Sequence, residues 1–344
     1  MNGEWMRAEI REQPEVFRRI LRDGLPLVHR VAAEVRARNP RFVVFVARGT
    51  SDHAALYAKY LVETRLGLPA GLASPSTMTV YDARPHMRDV LLVAVSQSGS
   101  SPDLVEPLSR AREGGGLTLA VTNNADSPLA RAAELHLDVL AGPERAVAAT
   151  KTYTAEMLTL FLLIEALGER SGDEAREIAG CADRILALED EVAHLAVRYR
   201  FADQIVTTAR GYNYPTALEA ALKLMETSYL VAHGFSGADL LHGPMAMIQR
   251  GFPVVAIVPE GAGGAALRPV LTRLREQDAD TLLIGDADWN GLGSVELRLP
   301  PLGPEVVSPI LTILPLQQLA CHLALQRGTD PDQPRGLQKV TETW

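Results

Sequence analysis

The chain has 344 residues and a formal net charge of −8, with 34 Lys and Arg against 42 Asp and Glu; 47% of its residues are hydrophobic and 22% are charged. This length predicts one large domain or two ordinary ones, and the composition excludes a disordered chain. The negative charge argues against a protein held to nucleic acid by bulk electrostatics. Cys181 and Cys321 cannot build a disulfide framework, and no Cys/His cluster suggests structural zinc. We expect two buried thiols in a reducing compartment.

No segment has the pattern of a targeting signal. Residues 1–13 carry three glutamates and lack the apolar core of a signal peptide. The most apolar stretch, Met157–Ile164, is far shorter than the ~20 residues that a membrane-spanning helix needs. The expectation is a soluble, cytoplasmic protein that binds neither membrane nor nucleic acid.

Short apolar runs alternate with longer helical patterns along the chain. The first three runs are Val43–Val46, Leu91–Val95 and Leu117–Val121, and each ends in small or polar residues. Apolar runs without polar alternation are typical of parallel strands covered on both faces. The pattern predicts an α/β fold, a doubly wound parallel sheet in a three-layer, flavodoxin-like sandwich, with ligands at the carboxyl ends of the strands.

The same layout returns in the second half of the chain. The run at 205–208 leads into Ala209-Arg210-Gly211 as the run at 43–46 leads into Ala47-Arg48-Gly49, an offset of 209 − 47 = 162 residues. Later runs at 254–258 and 281–284 continue the correspondence, which indicates a duplicated domain.

The segment between the two halves, 172–200, is rich in Ala, Leu, Glu and Arg and predicts one long linking helix. The predicted organisation is a helical N-terminal segment over 1–30, a first domain over 31–190, a second domain over 191–332 and a tail over 333–344.

Two hydroxyl-rich loops follow the first two predicted strands. Ser96–Asp103 opens a helix whose first turn holds Pro102 and Asp103, and Gly49–His53 precedes a helix predicted over Ala54–Glu63. Hydroxyls and free backbone N–H groups at a helix N-terminus favour an anion such as a phosphate monoester. A polar turn that only caps its helix is the alternative, and composition does not separate the two. His53 is expected to be structural.

A glycine-rich loop at 261–266 fits the G-x-G-x-x-A pattern of dinucleotide binding, with Asp286 downstream. One such match is weak evidence, and the duplication explains this loop better as the counterpart of the Ser96 loop.

The densest group of ionisable residues lies on a helix predicted over Pro215–Leu230. Glu219, Lys223 and Glu226 are spaced by four and three residues and share one face. A solvated ion pair is the ordinary interpretation. The rest of this helix is small and apolar, however, which indicates packing on more than one side and a reason for the carboxylates.

Two further candidates come from loops near the end of the chain. His242 stands just before a Gly-Pro break, and Lys339 lies in a polar tail that Leu337 and Val340 could anchor. Most C-terminal lysines face solvent, so the residues alone leave the role of Lys339 open.

At these residues the chain resembles the double SIS-domain sugar-phosphate isomerases, which include the isomerase domain of glutamine–fructose-6-phosphate aminotransferase. The resemblance covers nearly the whole chain, and the order and spacing of its motifs make it specific. The motifs are Glu9–Pro14, Gly49–Ser51, Ser96–Gly99, Ala148–Lys151, Gly211–Pro215, Ala217–Glu219, Leu241–Pro244, Gly328–Asp330 and Asp332–Arg335. It implies two tandem SIS domains.

The resemblance also implies a role for each candidate residue. Phosphate and sugar contacts would come from Thr50, Ser51, Ser96, Gln97, Ser98, Ser101, Val147 and Ala149. Glu226 would move a proton between C1 and C2, and His242, supplied by the partner in a homodimer, would open the sugar ring. Lys339 would contact the open-chain sugar or form a Schiff base with it, and Glu219 and Lys223 would support that centre. No metal or other cofactor is implied.

Two departures from glutamine–fructose-6-phosphate aminotransferase, here called the synthase, determine the reaction that we expect. Asn2 follows Met1 and both cysteines lie deep in the chain, so we expect no glutaminase activity. Ala149 stands where the synthase has Ser, and with Ser98–Asp103 and Gly336–Thr341 this is similar to stand-alone SIS-type glucosamine-6-phosphate deaminases. The expected reaction converts glucosamine 6-phosphate to fructose 6-phosphate and releases ammonia.

Two alternatives stay open. The first is a related isomerase, a glutaminase-less aminotransferase-like enzyme or a deglycase that acts on another 6-phospho amino sugar. The second is a sugar-phosphate sensor without catalysis, against which the joint presence of Glu226, His242 and Lys339 argues.

Overall fold

The computed structural model describes residues 2–289 and 291–339 of the chain. These residues group into two compact units, each built from three segments. The first-sheet unit comprises 15–144, 151–176 and 338–339, and the second-sheet unit comprises 2–14, 145–150 and 177–337 apart from residue 290. The boundaries predicted near residues 30, 190 and 332 assume consecutive domains and stay a prediction.

The first-sheet unit is built on a five-stranded, all-parallel sheet. Its strands are β1 Phe42–Val46, β2 Ala70–Leu72, β3 Val90–Ser96, β4 Leu117–Thr122 and β5 Leu135–Asp138. Their order across the sheet is β2-β1-β3-β4-β5. In β3 and β4 nearly every residue is buried, because helices cover both faces of the sheet. The predicted doubly wound α/β fold is confirmed.

The helices of the first half of the chain are α1 Glu4–Arg19, α2 Leu25–Arg38, α3 Thr50–Leu61, α4 Pro75–Thr79, α5 Pro102–Glu113, α6 Pro128–Ala132 and α7 Lys151–Leu167. The helix predicted from Ala54 instead begins at Thr50, directly after Gly49, whose φ of +55° lets the chain turn from strand into helix. The predicted Pro102 start of α5 is confirmed. Helix α7 is buried from residue 151 to residue 166, so it forms the core of its unit.

The second-sheet unit repeats the first topology. Its strands are β6 Gln204–Ala209, β7 Val231–Ser236, β8 Pro253–Ile257, β9 Asp280–Gly285 and β10 Val295–Arg298, in the order β10-β9-β8-β6-β7. All strand pairs are parallel. Counted from the other edge, the order β7-β6-β8-β9-β10 corresponds strand by strand to β2-β1-β3-β4-β5 of the first sheet. Strands β6 and β1 begin 204 − 42 = 162 residues apart. The predicted duplication is confirmed.

The helices of the second half are α8 Ile178–Leu186, α9 Glu189–Tyr199, α10 Tyr214–Ser228, α11 Gly237–Leu241, α12 Ala262–Ala265, α13 Arg268–Glu276 and α14 Ser308–Gln326. The single linking helix predicted over 172–200 is wrong. A short 3-10 turn precedes α8, and the chain breaks at Ala187 and Leu188 before α9. The acidic residues 189–191 occupy the first turn of α9, where negative charge stabilises a new helix N-terminus.

The apolar stretch Met157–Ile164 lies within α7, where all of its residues are buried. Among the described residues, one stretch is long and apolar enough to cross a membrane, Glu305–Gln326, and 94% of its most apolar part is buried inside the protein.

Candidate active site

The carboxyl ends of β1 and β3 form the topological switch point of the first sheet. The chain leaves β1 towards β2 on one side and continues from β3 towards β4 on the other, which opens a crevice between the two strand ends. Thr50 and Ser51 begin α3 after β1, and Ser96–Ser101 joins β3 to α5. The two predicted hydroxyl-rich loops therefore lie at neighbouring strand ends, as the sequence predicts.

Local hydrogen bonds shape the loop after β3. The Ser96 hydroxyl accepts a bond from the Gly99 N–H at 3.1 Å, and the Ser98 hydroxyl accepts one from the Ser100 N–H at 3.3 Å. Ser101 is the N-cap residue of α5, yet its side chain makes no capping bond. Gly99 has φ +63°, and a Cβ there would lie 2.3 Å from the Ser127 hydroxyl. This tight turn leaves the α5 N-terminus uncapped by a side chain.

The loop after β1 is held by two carboxylates: Glu156, which lies in none of the predicted motifs, and Asp103, which the sequence predicts only as a first-turn residue of α5. Ser51 is 7% exposed and donates to Glu156 Oε1 on α7 at 2.9 Å. Arg48 donates through Nε to Asp103 Oδ2 in the first turn of α5 at 2.6 Å. Helix α7 is largely apolar and contains two glutamates, Glu156 and Glu165; a charged residue in an apolar helix is the signal in the sequence that could have indicated Glu156.

Asp52 adds a third carboxyl group to this region. Burial raises the pKa of Asp52, and the positive charges of His53 and Arg48 oppose part of that rise.

The predicted contact residue Gln97 lies half-buried between Ser96 and Ser98.

The predicted group on α10 is a buried triad in the second-sheet unit, here called the α10 triad: Glu219, Lys223 and Glu226. Lys223 Nζ lies 3.3 Å from Glu219 Oε1 and 2.5 Å from Glu226 Oε2. The side chains of Glu219 and Lys223 are 0% exposed, whereas that of Glu226 is 21% exposed. Burial alone would lower the pKa of Lys223, but the two carboxylates outweigh it and raise the pKa. Glu226 is thus the member of the triad that solvent reaches.

His242 lies at the exposed end of α11. Its backbone N–H donates to the Asp239 carbonyl at 3.1 Å, and the described residues make no hydrogen bond or ion pair with its imidazole. It therefore does not join the α10 triad within its unit. Leu241 and Met247 beside it are 44% and 41% exposed. A cavity of about 430 Å³ borders this loop, lined in part by Leu241 and Gly243.

Lys339, the last described residue, is ion-paired with Glu144 in the first-sheet unit. The Nζ–Oε2 distance is 2.7 Å, and Glu144 also accepts bonds from the N–H and hydroxyl of Thr152 at 3.1 and 2.7 Å. The carboxylate of Glu144 is 0% exposed, so it provides a rigid anchor for the tail. This anchor is not the one that the sequence predicts from Leu337 and Val340; Leu337 is 43% exposed, and Val340 lies outside the described residues.

Val147 and Ala149 lie half-buried in a segment of the second-sheet unit. The Val147 N–H donates to the Asp332 carbonyl at 3.1 Å, and the Asp332 carboxylate accepts bonds from the N–H groups of Trp5 and Met6 at 3.1 and 2.8 Å. The position of Val147 is therefore set by Asp332, which is remote in sequence and also holds Trp5 and Met6.

A side chain of the protein occupies the corresponding switch point of the second sheet. The Glu305 carboxylate accepts bonds from the N–H groups of Ala262 and Gly263 at 2.8 and 2.7 Å. A Cβ at Gly261 or Gly263 would lie 2.3 or 2.4 Å from the Glu305 oxygens. The glycines that resemble a dinucleotide motif therefore make room for an internal anion.

Among the described residues, no group of three or more His, Cys, Asp or Glu has the arrangement of a metal site. The predicted site residues thus form three arrangements, the switch-point hydroxyls, the α10 triad and the anchored Lys339, and three further residues, His242, Val147 and Ala149, lie apart from them. Their roles in chemistry stay predictions.

Comparison with known proteins identifies the family. The SIS domain model matches residues 38–166 and 199–326, one match around each sheet. Glutamine–fructose-6-phosphate aminotransferase (isomerizing) from Pyrococcus horikoshii is 34% identical over 344 residues, which covers 97% of this chain and 57% of that relative. The chain therefore spans little more than half the length of the relative.

Solved structures show the same fold. The C-terminal domain of glucosamine-fructose-6-phosphate aminotransferase from Francisella tularensis has a TM-score of 0.86 and 28% identity, covering 96% of this chain and 98% of that one. Glucosamine-6-phosphate deaminase from Thermotoga maritima has a TM-score of 0.82 and 21% identity, covering 99% and 100%. The chain belongs to the SIS-domain family, with one copy of the domain built on each of its two sheets.

Proposed function

We propose that the protein is a sugar-phosphate isomerase that deaminates glucosamine 6-phosphate to fructose 6-phosphate. The observation that carries the proposal is the α10 triad, in which Lys223 holds the partly exposed Glu226 at 2.5 Å. A buried cation between two carboxylates is costly to fold, and such arrangements concentrate at functional sites. Glu226 is the proposed base because it is the member of the triad that a substrate can reach.

The proposed reaction consumes one water. In the open-chain sugar, the aldehyde at C1 acidifies the proton on C2. Glu226 takes that proton and returns it to C1, while a proton passes from the nitrogen to O1, so that C1 becomes a hydroxymethyl group and C2 an imine. Water adds to C2 and ammonia leaves, which yields fructose 6-phosphate. Lys223 keeps a positive charge beside the carboxylate in every step.

The phosphate is proposed to bind at the first switch point. The Ser96, Ser98 and Ser101 hydroxyls, with Thr50 at the start of α3, surround two helix N-termini that favour an anion. Ser51 serves there mainly by its bond to Glu156, which fixes the start of α3. Anchoring the phosphate supplies the positioning that proton transfer requires.

His242 and Lys339 are proposed to act on the sugar ring and on the open-chain sugar. The exposed imidazole, without hydrogen bonds from the described residues, and the exposed Leu241 and Met247 support a homodimer in which His242 serves the partner's site.

The dimer has a direct test by complementation. Glu226→Gln and His242→Ala, each inactive alone, should recover about one quarter of the wild-type activity when mixed dimers form, because half of the dimers are mixed and each holds one intact site. Equal mixtures that stay inactive, although mixed dimers are demonstrated, would contradict the shared site.

The choice of deamination rests on the motifs shared with stand-alone deaminases, above all Ala149 in place of Ser. The experiment is ammonia release, coupled to glutamate dehydrogenase, from a panel of glucosamine 6-phosphate, galactosamine 6-phosphate and fructosamine phosphates. We expect turnover of glucosamine 6-phosphate, with fructose 6-phosphate formed in equal amount. Release from another member alone would favour the related isomerase or deglycase, and saturable binding without release would favour the sensor.

Glu226→Gln should lower kcat by at least a factor of about 100, since a general base contributes 10²–10⁴. Glu276→Gln is the matched control, because Glu276 also pairs with a basic residue three positions away on a helix of the same unit but is 55% exposed. Retention of activity in Glu226→Gln would remove Glu226 from the mechanism.

A further inference from the structure

Arg48 stands at the first switch point and has no role in the function proposed above. It follows β1 by two residues. The register pairs Val46 with Ala94, and continuing it by two residues places Arg48 level with Ser96, where the loop after β3 begins. A guanidinium therefore lies beside a loop of neutral donors.

The guanidinium is anchored from one side. Its Nε donates to Asp103 Oδ2 at 2.6 Å, and Asp103 is 2% exposed in the first turn of α5. The Arg48 side chain remains 51% exposed, and the described residues accept no hydrogen bond from its Nη1 or Nη2 atoms. Asp103 thus fixes the Nε edge of the planar, forked guanidinium group and leaves its two terminal nitrogens available to a ligand.

A purely structural role for the Arg48–Asp103 ion pair does not explain why the guanidinium is half-exposed. A buried carboxylate needs a cation, but a lysine or a fully buried arginine would meet that need. The second oxygen of Asp103, Oδ1, is buried and has no hydrogen-bond partner among the described residues, so the pair is not arranged for maximal bonding to Asp103. A planar fork held at one edge is instead suited to bidentate binding of a phosphate.

We propose that Arg48, positioned by Asp103, binds the phosphate group of the substrate and sets the preference for phosphorylated sugars. The inference rests on the proposed function, since it assigns a residue to the same phosphate site. Arg48 supplies the positive charge that the serine-rich loop lacks, and Asp103 acts through Arg48 as a positioning residue.

The test measures inorganic phosphate binding by isothermal titration calorimetry, which needs no turnover. Arg48→Ala should weaken phosphate binding by a factor of about 10 or more, in line with the loss of a charge-assisted bidentate contact. Arg48→Lys keeps a cation beside Asp103 but lacks the fork, and it should weaken binding by a smaller factor. Arg38→Ala is the matched control, because Arg38 is 61% exposed and pairs with Glu134 at 2.8 Å; it should bind as the wild type does.

Steady-state kinetics on the sugar found to react should show the Arg48→Ala loss mainly in KM. A structural role alone would lower thermal stability and leave the phosphate affinity of the folded protein unchanged, and that result would overturn the inference, as would a wild-type protein that binds no phosphate. If Arg48→Ala loses phosphate binding while no amino-sugar phosphate releases ammonia, the inference stands and the proposed deamination fails.

Discussion

The α10 triad makes a prediction about stability that is independent of any substrate. Lys223→Met removes the cation that lies 3.3 Å from Glu219 and 2.5 Å from Glu226. Glu226 is 21% exposed and can gain hydration, whereas the side chain of Glu219 is 0% exposed and cannot. The cost therefore comes mainly from Glu219, and breaking one partner of a buried pair costs about 3–5 kcal/mol.

The assay is equilibrium urea unfolding followed by circular dichroism. The double variant Glu219→Met/Lys223→Met should recover most of the loss, since an apolar pair of similar volume replaces a buried ion pair at little cost. The control is Lys59→Met, which breaks an exposed pair with Glu63 four residues away and should cost about 0.5 kcal/mol or less. A Lys223→Met variant within about 1 kcal/mol of the wild type, or a double variant as unstable as the single one, would refute this reasoning.

Two further predictions concern the first-sheet unit. Gly99→Ala should cost roughly 2–3 kcal/mol of unfolding free energy, because the residue has φ +63° and its Cβ would lie 2.3 Å from the Ser127 hydroxyl. Gly67→Ala is the control, because Gly67 has a left-handed backbone with φ +65° and open space around its Cβ position; it should cost about 1 kcal/mol in the same urea assay. Equal costs would show that the Ser127 contact does not matter. Burial lowers the pKa of His136, whose Nε2 lies 2.9 Å from the Thr122 hydroxyl, below its ordinary value of about 6.5. The unfolded chain then binds the proton more readily, so stability falls as the pH drops below about 6.5, and His136→Gln should flatten that decline between about pH 7 and 5; an unchanged slope in paired urea titrations would contradict this assignment.

The errors of sequence interpretation have local causes. The segment 172–200 has helical composition throughout, so its pattern contains no clear stop, and the break before Glu189 is visible only as an acidic first turn. No helix is predicted over 308–326; Pro309 stands in the first turn of α14, where proline is favoured, but Pro315 lies inside the helix and weakens the helical pattern of the sequence. In both segments the helix boundaries depend on tertiary packing as well as on the residues themselves.

The sequence by itself determined the parallel strands, the duplication, the hydroxyl-rich loops and the spacing of the α10 triad. Each of these features depends on residues that are close together in the chain, and it appears in the sequence as an apolar run, a strand-to-helix turn or a helical repeat. Tertiary structure alone decided which side chains meet across the chain. Arg48 and Asp103 are 55 residues apart, Ser51 and Glu156 are 105 apart, and neither pair follows a periodic pattern. Only the folded sheet, which places β1 beside β3 and α7 against α3, brings such partners within hydrogen-bonding distance.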